Sequence, residues 1–413
     1  MGKTSTKTNF ASPLSNKGFF KLLIFRVFMV LSYQIMDVVV GWHIYQLTKD
    51  LFSLGLIGLS EFVPYFCCAL FAGYLVDHYS KHLFGVFSAI LLCINALILA
   101  ACSAHLLESN ETLWIYLSII LVGLLRGFIA PTYNTLFAYV MPREEFAKAA
   151  GIGSSVFQFG LILGPAFGGL LVAYASVTVA YIVSAIFAFL AAISLSLIGV
   201  RTTTTIQSNP IFLSIAQGIK FVFNNQVVLG AQALDMFAVL FGGAVAMLPA
   251  FIHDVYHIGP EGLGVLRAAP ALGAITVGLV FAKRPITENA GKWLLTAVAG
   301  FGLCMITFAM TKYFWVAVFL LMLSGVFDGV SVILRTTILQ LVTPDDMRGR
   351  VASINGLFIG SSNELGAFES GFAAKVMGLI PSVVFGGAMT LGVVLLTTKA
   401  APQLVKLDLN KLH

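Results

Sequence analysis

The sequence predicts an all-α polytopic membrane protein, with twelve transmembrane helices in two pseudo-symmetric six-helix bundles. Three observations carry that prediction. The 413 residues are 59% hydrophobic and only 10% charged, with a mean hydropathy of +0.95, whereas soluble proteins average about 25% charged residues. The apolar residues gather into twelve windows, each long enough to cross about 30 Å of hydrocarbon as a helix. The second half of the chain also repeats polar landmarks of the first. A soluble enzyme, a disordered chain and a disulfide scaffold are excluded by the composition alone.

The windows fall near 20–47, 54–77, 83–103, 113–140, 150–174 and 180–200, then near 227–252, 262–282, 293–311, 314–342, 351–379 and 382–401. This divides the chain into an N-terminal bundle (1–200), a cytoplasmic connector with a short amphipathic helix (201–226) and a C-terminal bundle (227–413). With the N-terminus inside, seventeen Lys and Arg lie in cytoplasmic segments and three (Lys49, Lys312, Lys375) lie outside. Cytoplasmic loops retain positive charge, so both termini are expected in the cytoplasm. The net charge of +6 is therefore an orientation signal and implies no nucleic-acid partner. The five cysteines all sit in or beside apolar stretches, which suits small core residues and neither a disulfide framework nor a metal site.

The repeat has a consistent order. Gln34-x-x-Asp37 in span 1 recurs as Gln232-x-x-Asp235 in span 7, and Glu61-x-x-Pro64 in span 2 matches Arg267-x-x-Pro270 in span 8. An offset of 202 carries Gly123 to Gly325, Arg126 to Asp328, Pro142 to Pro344, Gly164 to Gly366 and Gly169 to Gly371. Two six-helix halves facing a shared midplane cavity are the transporter arrangement this pattern predicts.

Four stretches refine the picture. Gly73-x-x-x-Asp77 leads into a basic turn at Lys81 between spans 2 and 3, with His78 and Ser80 within it. Span 5 holds Gly151-x8-Gly160-x3-Gly164-Pro165-x2-Gly168-Gly169. There Gly160, Gly164 and Gly168 make a ridge without side chains that another helix can approach, while Pro165 loosens the backbone. Arg126-Gly127 stands in span 4, and Arg348 and Arg350 follow Thr343-Pro344-Asp345-Asp346 after span 10. These stretches resemble the major facilitator superfamily. The first is similar to its signature loop, the second to the antiporter motif of its drug exporters, and Arg126-Gly127 to its proton-coupling arginine motif. Further stretches, among them Gly41-Trp42-His43-Ile44-Tyr45 and Asn363-Glu364-Leu365-Gly366, resemble the enterobactin (siderophore) exporter branch. The resemblance implies export of a siderophore or another amphipathic small molecule, coupled to protons, by a monomer in the cell inner membrane.

Ten ionisable residues lie within spans: Arg26, Asp37, Glu61, Arg126, Asp235, Arg267, Asp328, Arg335, Glu364 and Glu369. Charges at membrane depth face partners or water. Arginine keeps its proton whereas a carboxylate can take one up. Six acids against four arginines leave two acids free to carry protons. Asp37, Arg126, Glu61, Asp235, Asp328 and Glu369 are the expected proton-coupling set, with Asp37 as carrier and Arg126 as its electrostatic switch. At 100° per residue Arg26, Tyr33 and Asp37 share one face, as do Asp328 and Arg335, and Arg126 and Tyr133. Glu364 and Glu369 lie about 140° apart, and Glu369 is expected to face the cavity while Glu364 holds an interhelical contact. Tyr33, Gln34, Tyr133, Gln158, Gln232, Arg267, Arg335 and Asn355 are expected to line the substrate cavity. Because Arg126 aligns with Asp328 and Glu61 with Arg267, the two walls should differ in charge and orient a polar substrate.

No phosphate-binding Gly-x-x-x-x-Gly-Lys-Ser/Thr loop is present, so the expected energy source is the proton motive force, without a cofactor. The scattered carboxylates do not make an enzyme's nucleophile and base, and no catalytic residue is assigned. The sequence therefore predicts a secondary transporter that exports a small amphipathic molecule by proton antiport with alternating access. An importer, a facilitator or a lysolipid-flipping carrier on the same fold is the alternative.

Overall fold

The computed structural model describes residues 13–78, 81–106, 110–142, 145–199, 211–283, 286, 288–344 and 347–409, excepting the side chains of 70–78, 81, 147, 211–216, 282–283, 348–350, 352–353 and 357. The first bundle comprises α1 (Lys17–Thr48), α2 (Leu51–His78), α3 (Lys81–Ser103), α4 (Glu111–Val140), α5 (Phe146–Tyr174) and α6 (Val177–Ser196). Helix α7 (Ile211–Asn224) connects it to α8 (Gln226–Phe241), and α9 (Leu248–Ala250) continues α8 after a break. The second bundle is completed by α10 (Glu261–Lys283), α11 (Ala290–Met310), α12 (Phe314–Val342), α13 (Arg348–Met377) and α14 (Leu379–Ala400), and α15 (Pro402–Val405) follows.

Helix starts follow local chemistry. Asn16 accepts from the Gly18 and Phe19 amides, Ser176 from Val179, and Asn225 from Val227 and Val228. Each satisfies amides that the first turn leaves without an intrahelical partner. Among the described residues, eleven helices are long and apolar enough to cross a membrane. Helix α13 has a comparable 30 residues, and carries Asn355, Asn363, Glu364, Glu369 and Lys375. Outward faces keep large apolar side chains exposed, such as Leu83, Phe87 and Ile94 on α3 and Ile182, Ile186 and Phe189 on α6. Lipid is the solvent such a surface suits.

Within the first bundle α3 packs on α4 and α6, α1 on α5 and α6, and α2 on α4; in the second, α10 packs on α12, α11 on α12 and α14, and α8 on α13 and α14. The bundles meet where α2 packs on α13 and α5 on α10. Both junctions are made by glycine. A Cβ on Gly55 or Gly371 would run into the other's backbone, and so would one on Gly169 toward Gly264. Gly169 and Gly371 are partners in the sequence repeat, so the repeat builds two equivalent seams. The Gly160, Gly164 and Gly168 ridge lies instead against Val30, Gln34 and Ile35 of α1.

The seventh span departs from the continuous helix that its window predicts. Helix α8 stops at Gly242, the chain runs through a 3-10 turn over Gly243–Met247, and after α9 a π turn covers Phe251–Tyr256. Gly243 sits against the Gly366 carbonyl and the Ser370 hydroxyl. Irregular backbone at membrane depth is tolerated where it borders a cavity, and this break does so.

The bundle ends near the termini are tied within each half. Lys21 Nζ donates to the Leu197 carbonyl at 2.7 Å and Gln226 Nε2 to the Ala400 carbonyl at 3.0 Å. At the opposite end the halves join. Tyr45 donates to Asp254 at 2.5 Å, and Phe52 packs on Phe368 and Phe372 with the Lys375 ammonium 4.5 Å from its ring centre. Toward the termini, a Cβ at Gly151, Gly278 or Gly356 would meet nothing within 4 Å. Among the described residues, hydrogen-bonded and aromatic contacts join the halves at the far end, which they seal, and none of these kinds joins them at the end bearing the termini, which is the looser.

Candidate substrate and proton site

Between the halves lies a cavity of about 510 Å³. Helix α1 contributes Gln34, Asp37 and Gly41, which share a face at i, i+3 and i+7. Arg126 enters from α4, Pro165 from α5, Arg267 and Pro270 from α10, Asp328 from α12, and Asn363 and Glu364 from α13. The broken seventh span supplies Val239, Gly242, Gly243, Val245 and Ala246. The mixture of apolar lining with a few convergent charges is the usual make-up of a small-molecule site.

The charges form two systems. The Arg126 guanidinium pairs with Glu61 of its own half and with Glu364 of the other at 2.9 Å. It also lies 5.2 Å from the Tyr33 ring centre and 5.7 Å from that of Tyr65. Gly123 explains the first contact, because a Cβ there would strike the Glu61 backbone. That close approach places Glu61 one turn from Arg126. Arg267 of the second half pairs with Asp37 of the first at 3.9 Å. Each cavity arginine therefore reaches an acid across the halves. Asp328, the repeat partner of Arg126, lines the same space and makes no ion pair among the described residues.

The expected partnership of Asp37 with Arg126 is corrected by this geometry. Glu61 and Glu364 take Arg126, and Asp37, with 39% of its side chain accessible, faces Arg267. The expected roles of the α13 glutamates change in part: Glu364 does hold an interhelical contact, with Arg126, but it also lines the cavity, and Glu369 does not. Ala367 and the Glu364 backbone pack on Gly58 of α2, which turns Glu364 toward Arg126 and the cavity. Glu369, rotated away by its phase, lies outside the cavity lining.

Other expected residues separate too. Asp235 and Arg335 form an enclosed ion pair inside the second bundle, and Gln232 is buried near it on α8. None of the three lines the cavity, although Asp328 and Arg335 share a helical phase; the seven-residue rise carries Arg335 down into the α8–α12 contact. Tyr33 is buried beside Arg126, and Tyr133 is buried under Arg26. Gln158 is exposed and Asn355 half-buried, both outside the cavity lining. The side chains of Gly73, Asp77, Lys81, Arg348 and Arg350 lie outside the described residues. Three features escaped the sequence reading: Glu364 as Arg126's cross-half partner, the Tyr45–Asp254 contact, and the break in span 7. The Gly242-Gly243 pair was the available signal for the last.

The Major Facilitator Superfamily profile matches residues 22–367. The chain belongs to this superfamily. As a superfamily member it is a polytopic membrane transporter rather than an enzyme. The enterobactin exporter EntS of Escherichia coli O1:K1 / APEC is 26% identical, over 96% of this chain and 95% of that protein, and EntS of strain EC4115 of Escherichia coli O157:H7 gives the same figures. Among solved structures, the peptide transporter POT superposes with a TM-score of 0.71 at 15% identity, covering 95% of this chain and 96% of that one. The nucleoside transporter NupG gives 0.70 at 11% identity, over 93% and 99%. A bacterial homolog of the human lysosomal transporter Spinster, inward-facing and occupied, gives 0.69 at 15%, over 95% and 97%. At these identities the structural likeness concerns the superfamily fold.

Proposed function

We propose that this transporter exports a small amphipathic molecule of the siderophore or drug-like kind by proton antiport, as a monomer in the cell inner membrane with both termini in the cytoplasm. One observation carries the reading: the cavity and its margin hold four carboxylates, Asp37, Glu61, Asp328 and Glu364, against two arginines, Arg126 and Arg267. The surplus acids can bind protons, whereas the arginines cannot release theirs. Full-length similarity to EntS supports the outward direction and a siderophore-like cargo. The Lys and Arg distribution supports the cytoplasmic termini.

In this reading each arginine chooses between an acid of its own half and one across the cavity. Protonating Glu364 leaves Arg126 with Glu61, and protonating Asp37 lets Arg267 turn toward Asp328. Both changes remove bonds between the halves and favour opening at the far end. A hundredfold change in that equilibrium needs only about 2.7 kcal/mol of differential interaction.

The test is reconstitution in proteoliposomes with an internal pH dye and an imposed pH gradient. Added enterobactin should drive a proton flux in the wild type, and E364Q should weaken the link between proton and substrate movement. Substrate movement with no accompanying proton flux in the wild type would overturn antiport.

A further inference from the structure

Three of the four arginines within the spans neutralise their charge on carboxylates: Arg126 on Glu61 and Glu364, Arg267 on Asp37, and Arg335 on Asp235. Arg26 of α1 differs. Among the described residues it makes no ion pair, and its guanidinium lies over the Tyr133 ring at 3.9 Å and near the Phe157 ring at 4.8 Å. The two rings hold the cation and leave its hydrogen-bonding nitrogens without an acid among the described residues.

Three further facts point to a ligand. The Tyr133 hydroxyl, on a residue only 6% exposed, has no hydrogen-bond partner among the described residues. Gly153 of α5 is what permits the cluster, because a Cβ there would collide with the Tyr133 hydroxyl and stand 3.5 Å from an Arg26 nitrogen. Position also matters. Arg26 shares its face of α1 with Asp37 and lies eleven residues nearer the terminus, about 16 Å along the helix. That places it on the loose side of the cavity, beyond the seams that close the far end.

We propose that Arg26, Tyr133 and Phe157 form a loading site for the oxyanion of an amphipathic acid approaching from the terminus-bearing side. The guanidinium receives the carboxylate, sulfonate or phosphate as a planar fork, the free Tyr133 hydroxyl donates a further hydrogen bond, and the aromatic surroundings take the apolar body. The site rests on the export reading for its place in a transport path, and it adds the charge class of the cargo. Moving from Arg26 to the cavity, the acid passes from an arginine with no counter-ion to arginines already paired. It therefore leaves its tightest electrostatic contact at the loading side.

Binding at fixed pH tests this without any proton gradient. The purified protein in phosphatidylcholine nanodiscs is titrated into dansyl-phenylalanine, an anion, and into its uncharged amide, and dansyl anisotropy is followed. The acid should bind about tenfold tighter than the amide, as expected for a hydrogen bond to a charged group. R26Q should bring the two within about twofold, and R26K, which keeps the charge but not the fork, should give an intermediate ratio. R26K carries the test where R26Q does not fold. An unchanged ratio in R26Q, or no preference in the wild type, overturns the site. Abolition of acid binding in phosphatidylglycerol nanodiscs assigns the oxyanion to a lipid headgroup and overturns the cargo assignment. Loss of proton-coupled flux with the preference intact counts against antiport alone.

Discussion

Arg126 of α4 and Glu364 of α13 are joined at 2.9 Å across the boundary between the two halves. The same guanidinium nitrogen also serves Glu61, so losing Glu364 does not leave this half-buried cation alone. E364Q should therefore fold, and its effect should fall on the balance between open and closed forms. We expect about a tenfold shift toward opening at the far end, within the usual range of conformational coupling energies. Spin labels at Leu106 and Tyr313, both exposed at that end on opposite halves, would report it as a longer distance in a background with the native cysteines replaced. An unchanged distance distribution in E364Q would deny the pair any control over closure.

Tyr45 closes the far end by donating to Asp254 at 2.5 Å, and His253 contributes a ring nitrogen 2.6 Å from the other Asp254 oxygen. A hydrogen bond to a charged acceptor is worth about 1.5–3 kcal/mol net. Y45F removes it with little change in shape. A reporter is available one turn away, since Gly41 lines the cavity and a Cβ there meets nothing within 4 Å. A cysteine at position 41 should react about tenfold faster in Y45F with an impermeant thiol reagent added from the far side. Equal rates would mean that the seal lies elsewhere.

The fold was more legible than the site, for a physical reason. Hydrophobic windows and Lys/Arg asymmetry are local properties, so the spans could be read directly. The repeat also marked Gly169 and Gly371, but it did not reveal that they are the paired seams, because a contact partner has no sequence signature. The charge pairings failed for the same cause. Helical phase put Arg126 on one face with Tyr133, yet which acid reached it depended on Gly123 admitting α2 and Gly58 admitting α13. Phase also showed that Glu364 and Glu369 cannot share a groove, while the choice between them needed the neighbouring helix. The span 7 break was concealed because Gly, Ala and Val suit the bilayer whether or not their backbone is helical.

The two seams should respond to substitution differently from the loose end. G169A and G371A would each force a methyl into facing backbone, and overpacking of this kind costs about 1–3 kcal/mol. G151A and G278A find open space, and in a helix an alanine there should be neutral or gain up to about 1 kcal/mol over glycine. Thermal unfolding in detergent would show the opposite signs. A lowered midpoint for G151A matching that of G169A would argue against the sealed-and-loose description.

Asp235 and Arg335 share the second bundle with the cavity residues but stand apart from the cavity itself. Their side chains are 9% and 4% accessible, and they join α8 to α12 within one half. A buried pair of this kind has a distinctive response. Removing one member strands the other's charge and costs about 3–5 kcal/mol, whereas exchanging both for apolar residues of similar volume is often neutral. R335M should accordingly lower the unfolding midpoint sharply, and D235L/R335M should recover most of the loss. Proton coupling supplies the second readout. The stable double variant should retain substrate-driven proton flux, because neither residue reaches the cavity arginines. If the double variant is as stable as the wild type yet uncoupled, the second-half repeat of Asp37 carries protons after all, and the coupling set extends beyond the cavity wall.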